Sequence, residues 1–195
     1  MGQVEMTTKT EVLTNRRNLL GAFAGIATIS AAPTYAGVFG YVKGAGNIRR
    51  IHMRNSRNGE TIDTIYWVDG QYIRPALKEI NWFMRDWREN KATTMDRNTI
   101  DVIAATHARL RTKDPVYMLS GYRSARTNAM LRSKSRRVAK DSYHVKGQAT
   151  DIRIKSRSVS DIARAAMAAR IGGVGKYYRS NFVHVDSGPV RTWVS

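Results

Sequence analysis

The sequence IRRIHMRNSRNGETIDTIYWV, residues 48 to 68, predicts how the folded domain begins. Ile51 and Met53 alternate with charged or polar neighbours, as they would on a strand that buries one face. Asn58-Gly59 is a turn-forming pair, and residues 61–68 are rich in the β-branched and aromatic residues that favour strands. We therefore expect a β-hairpin.

The segment after the hairpin has the pattern of two helices. Apolar residues recur at helical spacing after Pro75, up to Trp87, and predict a helix of about four turns. Asp96 is a candidate N-cap for a second helix, which ends before Asp114-Pro115. His107 lies on the apolar side of this second helix, and we assign it and His52 structural roles.

The rest of the chain mixes short strands and helices. Together with the hairpin it predicts an α+β domain with a small, mostly antiparallel sheet and three or four helices. The expected elements are a buried strand at 116–119, a short helix at 125–133, a half-buried strand at 151–154, a helix from Ser158 or Ser160 through Arg170, and strands at 174–178 and 182–186.

The first 36 residues have the pattern of an export signal. Arg16-Arg17 precede an uncharged apolar stretch, and the small residues Thr34 and Ala36 occupy the positions that a signal peptidase inspects. The string TNRRNLL, residues 14–20, resembles a twin-arginine signal. We expect a signal peptide at 1–36, a tether at 37–47 and a domain at 48–195 that passes through the export machinery and works in the periplasm. A membrane anchor that is never removed, or an amphipathic amino-terminal helix, is the alternative.

Charge and composition restrict the partner and the chemistry. The formal net charge of +18 favours an anionic polymer or surface, and nucleic acid, anionic lipid and wall polymers would all attract such a chain. Export argues against nucleic acid. The basic stretch at 132–140 is typical of a solvated face. Because the chain has no cysteine, any metal must be held by histidine and carboxylate. The oligomeric state is left open.

Two segments carry a candidate metal site, SYHVKGQATD at 142–151 and FVHVD at 182–186. Their two histidines and a carboxylate would leave a fourth zinc position for water. Gly147 and Ala149 lack bulk, so the chain can turn closely there. Strand alternation puts His184 and Asp186 on one side, with Val183 and Val185 facing the core. This pattern alone leaves a chance occurrence open, since His and Asp are common in loops.

The order of several motifs resembles that of zinc peptidases of the D-alanyl-D-alanine carboxypeptidase and murein endopeptidase group, and most closely their YcbK-like branch. The motifs are SGYRS at 120–124 with Asn128, S-x-H-x-x-G-x-A-x-D at 142–151, and HVD at 184–186. The similarity extends to the segments at 66–70 and 80–83. It implies a hedgehog-like α+β fold, one zinc ion per chain, and hydrolysis of peptide bonds in peptidoglycan stem peptides or crosslinks by a metal-activated water.

The resemblance also assigns roles to individual residues. His144, Asp151 and His184 match the three zinc ligands. Arg123 matches an arginine that contacts the substrate and stabilises the oxyanion, a task that suits a permanently charged planar guanidinium. Tyr122 and Ser142 are further candidates for substrate contact. Ser142 is equally typical of a turn-forming serine.

One position departs from the pattern of several relatives. They carry a catalytic carboxylate three residues before the last histidine ligand, where this chain has Asn181, which cannot act as a general base. Asp186 is our candidate for that role, and it could instead orient a ligand imidazole. A further alternative is that the carboxylate has been lost and the protein is a non-catalytic peptidoglycan-binding module.

Overall fold

The structure is a computed structural model that describes residues 47–195. The predicted signal peptide at 1–36, and the predicted tether apart from Asn47, lie outside the described residues. No helix within residues 47–195 has the length and apolar character needed to cross a membrane.

Strands and helices alternate irregularly along the described chain. The four helices of this part are α1 (Arg74–Phe83), α2 (Arg97–Leu110), α3 (Ala125–Lys134) and α4 (Val159–Met167). The strands are β1 (Ile48–Asn55), β2 (Thr61–Val68), β3 (Gln71–Tyr72), β4 (Val116–Ser120), β5 (Ala149–Arg153), β6 (Gly173–Tyr177), β7 (Phe182–Asp186) and β8 (Arg191–Val194).

The strands form one eight-stranded sheet in the order β3-β2-β1-β4-β5-β7-β6-β8. The β1–β4 and β6–β8 pairs are parallel, and the other neighbouring pairs are antiparallel. The predicted α+β class with a mostly antiparallel sheet and four helices is therefore confirmed. The sequence analysis did not predict β3 and β8, which are too short to show a periodic pattern.

The predicted hairpin is present, with Ile48 opposite Val68 and Arg54 opposite Thr61. Gly59 lies in its turn with φ +78°, a conformation that glycine adopts without strain. The alternation also holds, because Ile51 and Met53 are fully buried while neighbouring side chains are not.

Two helices are shorter than predicted. The helix α1 has ten residues instead of about four turns, and Trp87 lies outside it. Beyond Met84 the helix ends, and the Trp82 carbonyl accepts from the Arg85 amide at 3.2 Å and from the Arg85 guanidinium at 2.9 Å. The helix α4 ends at Met167 before reaching Arg170, which adopts a left-handed conformation with φ +54°.

The helix α2 begins as predicted, because the Asp96 side chain accepts a hydrogen bond from the Asn98 amide at 2.8 Å. It packs against β1, β7 and α4, and its residues Ile100 and Ile103 are fully buried in the core. His107 bonds through Nε2 to the Asp114 carbonyl at 2.7 Å, a contact that fits the structural role we assigned to it.

A buried polar cluster ties α2 to the hairpin. The carboxylate of Asp101, which is 1% exposed, accepts hydrogen bonds from Arg49 at 2.6 Å and from the hydroxyls of Tyr66 and Tyr72 at 2.7 Å each. The Arg49 guanidinium also lies over the Trp67 ring at 4.1 Å. Each cluster member therefore has a partner for its charge or hydroxyl, as burial requires.

Candidate metal centre and substrate cleft

Two neighbouring strands and one loop bring the predicted ligands together. Asp151 on β5 is directly opposite His184 on β7, so both side chains leave the same face of the sheet. His144 lies in the loop that precedes β5. This loop turns at Gly147, where φ is +69° and an added Cβ would lie 2.8 Å from the Thr94 carbonyl oxygen, so a side chain is excluded there.

The side chains of His144, Asp151 and His184 converge. One ligand atom from each lies within 4.8 Å of the other two. The Asp151 carboxylate lies between the histidines, with Oδ2 3.3 Å from His144 Nε2 and Oδ1 2.9 Å from His184 Nδ1. The sequence analysis grouped the same three residues.

The hydrogen bonds on the far sides of the imidazoles determine which nitrogens face the centre. His144 Nδ1 lies 2.8 Å from the Gly121 carbonyl oxygen and must carry the proton to donate there, so Nε2 presents a lone pair. His184 Nε2 lies 3.1 Å from Asp186 Oδ2, and a proton on this nitrogen leaves the lone pair on Nδ1. Two imidazole nitrogens and one carboxylate are a donor set that zinc commonly takes in catalytic sites.

Burial and mutual attraction shift the titration of these groups. Burial favours the neutral ring of His144 and lowers its pKa, although the nearby Asp151 carboxylate acts in the opposite direction. Burial favours the neutral acid of Asp151, but the two histidines outweigh it and hold the pKa of this carboxyl well below its usual range. Burial also opposes a charged His184, yet its hydrogen bonds to Asp151 and Asp186 raise its pKa to about 9. A metal at this centre would therefore displace a proton from His184.

Asp186 lies behind His184, away from the cleft. It is 1% exposed, and its oxygens accept from the amides of Gly173 and Gly188 at 3.0 and 2.9 Å. The guanidinium of Arg191 donates to both oxygens, at 3.0 and 2.7 Å. Burial favours the neutral acid of Asp186, but the hydrogen bond with His184, together with these contacts, holds its pKa below the usual range. The sequence analysis missed Arg191, because its β8 strand gave no periodic signal.

Arg123 is largely buried at the edge of the centre. Its terminal nitrogens donate to Asn128 Oδ1 and Ser120 Oγ, each at 3.3 Å, and Nη2 lies 3.8 Å from Asp151 Oδ2. Its Nε has no hydrogen-bond partner within the described structure. Burial lowers the pKa of the guanidinium, although Asp151 attracts it. The residue therefore retains an unused donor beside the candidate ligands.

The other two predicted substrate contacts differ in position. Ser142 lines the cleft, and its Oγ accepts from the His144 amide at 3.3 Å, which agrees with the turn-forming alternative. Tyr122 packs against the hydrophobic core and is not among the residues that line the cleft. The structure therefore does not bring Tyr122 to the candidate site.

A cleft of about 460 Å³ opens over the three candidate ligands. One wall is aromatic: the rings of Tyr177 and Phe182 stack at 4.3 Å, and Trp193 donates from Nε1 to the Tyr177 hydroxyl at 3.2 Å. The Trp193 ring also lies 5.4 Å from that of His184. The sequence analysis did not assign these aromatic residues to the site, because they come together only when β6, β7 and β8 pair.

Asn181 occupies a turn position between β6 and β7. Its φ of +50° lies in the left-handed region, which asparagine tolerates better than most residues, and its carbonyl accepts from Arg153 Nε at 2.8 Å. Its side chain is exposed and is not among the cleft-lining residues, which include its neighbours Ser180 and Phe182.

Comparison with known proteins identifies the family. The family described as peptidoglycan L,D-endopeptidase MepK matches residues 43–193. The chain belongs to this family. The predicted relationship to YcbK-like murein endopeptidases is therefore confirmed.

Curated relatives match over most of their length. The peptidoglycan L,D-endopeptidase MepK of Escherichia coli strain K12 is 42% identical over 181 residues, which cover 92% of this chain and 97% of the relative. The probable peptidoglycan L,D-endopeptidase MepK of Haemophilus influenzae is 42% identical over 147 residues, which cover 74% of this chain and 78% of the relative.

Proposed function

We propose that the protein is an exported zinc peptidase that hydrolyses peptide bonds in peptidoglycan stem peptides or crosslinks, and specifically an L,D-endopeptidase like its named relatives. The observation that carries this proposal is the convergence of His144, Asp151 and His184 within 4.8 Å at the floor of an open cleft. Family membership supports the same reaction class.

The proposed ligands are His144 Nε2, the Asp151 carboxylate and His184 Nδ1. Two inward imidazole lone pairs with one carboxylate, and outward hydrogen bonds that orient both rings, favour zinc as the metal. A zinc ion held there would supply a Lewis acid for the scissile carbonyl and hydroxide from water at neutral pH. The protein's own contribution is to hold the donors in place and to shape the cleft above them.

Arg123 is the proposed electrostatic partner of the reacting carbonyl. Its guanidinium is fixed by Asn128 and Ser120, lies beside Asp151 and lines the cleft. A positioned cation beside the carbonyl carbon stabilises the negative charge that develops on oxygen as the carbon becomes tetrahedral. Because Arg123 is largely buried, the lower local dielectric makes this interaction stronger than it would be in water.

Asp186 has the surroundings of an orienting carboxylate, so of the two roles that the sequence left open we propose this one. Its oxygens are already engaged by His184, Arg191 and two backbone amides, and it does not line the cleft. A carboxylate on the far nitrogen of a ligand histidine fixes the tautomer and the ring orientation and makes the imidazole a better donor.

The decisive experiment combines metal analysis with digestion of isolated peptidoglycan sacculi. The purified protein should contain about one zinc per chain and release crosslink-cleaved muropeptides, which mass spectrometry would identify. His144→Ala should remove both the metal and the cleavage. His52→Ala is the matched control, because His52 lies on β1 outside the cleft. Cleavage that persists in metal-free protein would refute the proposal.

The absence of a carboxylate at Asn181 favours one alternative, a module that binds peptidoglycan without cutting it. This alternative predicts binding to sacculi that weakens with salt, since exposed charges are screened, and no new fragments after long incubation. Fragments released by the wild type and not by His144→Ala would eliminate it. The export that both functions require is tested by locating the protein in cell fractions.

A further inference from the structure

Five exposed cations lie at the end of α3 and in the loop that follows it. They are Arg132, Lys134, Arg136, Arg137 and Lys140, and we call them the basic rim. Within residues 47–195, no ion pair joins any of the five to a carboxylate. Asp141 is the acidic residue next to them in sequence. The positive charge of the rim is therefore largely uncompensated.

Several arginines elsewhere in the domain have carboxylate partners. Arg49 pairs with Asp101 at 2.6 Å, Arg85 with Glu60 at 2.7 Å and Arg164 with Asp161 at 3.0 Å. The cations of the basic rim are concentrated in one short segment, and carboxylates of the described part of the chain do not neutralise them. The positive electrostatic potential of such a segment attracts anionic partners.

The basic rim borders the cleft. Arg137 and Asp141 line the cleft together with the candidate ligands His144 and His184. The loop is held in place by Asn128, whose side-chain amide donates to the carbonyls of Ala139 and Lys140 at 3.1 and 3.3 Å. The same Asn128 accepts from Arg123 at 3.3 Å, so one side chain fixes both the rim and the proposed substrate arginine.

We infer that the basic rim binds free carboxylates of wall stem peptides next to the peptide bond held in the cleft. The inference deepens the proposed function and rests on it, because it names the chemical group by which the polymer is held. Stem peptides carry carboxylates at chain ends and on side chains. A guanidinium such as that of Arg137 can bind a carboxylate through two parallel hydrogen bonds, and several weak pairs along one polymer reinforce each other.

The test measures binding of the full-length protein to isolated sacculi, with a chelator present so that the sacculi stay intact. The rim variant is Arg136→Gln/Arg137→Gln/Lys140→Gln. The control variant Lys78→Gln/Lys113→Gln/Lys155→Gln removes the same charge from exposed residues that do not line the cleft. Since an exposed ion pair contributes about a factor of two, the rim variant should bind about tenfold more weakly at low salt. The control should bind like the wild type. High salt should reduce the difference in affinity between the rim variant and the wild type.

A second arm identifies the partner group. The wild type should bind sacculi whose carboxylates have been converted to amides as weakly as the rim variant binds untreated sacculi. Amidation should reduce the affinity of the rim variant only slightly further. Equal binding by the rim and control variants would overturn the inference, and so would undiminished binding to amidated sacculi. If the triple variant does not fold, Arg137→Gln alone should weaken binding about twofold, and unchanged binding would again overturn it.

The two proposals fail in different ways. If the wild type binds untreated sacculi through the basic rim but releases no fragments when chelator is absent, the proposed peptidase activity is refuted and the proposed role of the rim stands. If the protein cleaves sacculi equally well with and without the rim charges, the proposed role of the rim is refuted and the proposed peptidase activity stands.

Discussion

Oδ2 of Asp186 lies 3.1 Å from Nε2 of His184, on the side of the imidazole opposite Asp151. The ring is thus held between two carboxylates, one inside the cleft and one buried beneath it. Arg191 binds the buried carboxylate through both terminal nitrogens, at 3.0 and 2.7 Å, and compensates its charge. The orientation of a candidate zinc ligand is therefore determined in part by Asp186, a buried carboxylate that does not line the cleft.

Asp186→Asn should weaken zinc binding about 10- to 100-fold, because an amide at this position no longer favours the tautomer that presents Nδ1 of His184 to the metal. Competition with a calibrated chelator measures the affinity. Asp161→Asn, at a half-buried position of α4 outside the cleft, is the control and should leave the affinity unchanged. Unchanged zinc affinity with abolished cleavage would instead favour the general-base role.

Arg123→Lys should lower kcat about 100- to 1000-fold, with zinc content unchanged. Lysine keeps the charge but cannot reproduce the planar set of donors that contacts both Asn128 and Ser120. Steady-state cleavage of a soluble crosslinked muropeptide, with metal analysis of the same sample, tests this. A change in KM alone would assign Arg123 to ground-state binding.

Gly173→Ala should destabilise the fold by about 1–3 kcal/mol and weaken zinc binding. A Cβ at this position would lie 2.3 Å from Arg191 Nη1 and 2.7 Å from Asp186 Oδ2, so the pair that supports His184 would have to move. Urea unfolding and chelator competition measure the two effects. Full stability and full affinity in this variant would show that the pair can shift freely.

Asp101→Asn should destabilise the protein by about 3–5 kcal/mol, because it leaves the buried Arg49 without its counter-ion. Urea unfolding measures the change. The exposed pair between Arg50 and Asp63 supplies the control, since Asp63→Asn should cost less than about 1 kcal/mol. Cleavage per folded molecule should be unaffected in both variants. A small effect of Asp101→Asn would mean that water reaches Arg49.

The fold could be predicted wherever the pattern is local. The alternation around Ile51 and Met53 with the Asn58-Gly59 turn specified the first hairpin, and Asp96 marked the start of α2 correctly. The extents of α1 and α4 were wrong, because the end of a helix depends on contacts that its own apolar pattern does not show. At the end of α1, the Arg85 guanidinium bonds to the Trp82 carbonyl and is itself held by Glu60, 25 residues away.

The sequence by itself determined the candidate ligands, since a chain without cysteine offers few ways to hold a metal and His144, Asp151 and His184 stand in a recognisable order. Strand alternation also placed Asp186 beside His184 correctly. Tertiary structure decided the rest, namely that Tyr122 packs against the core, that Asp186 lies behind the ring with Arg191, and that Trp193 lines the cleft. The last two relationships depend on the pairing of β5, β6, β7 and β8, and pairing between distant strands leaves no periodic trace in the chain.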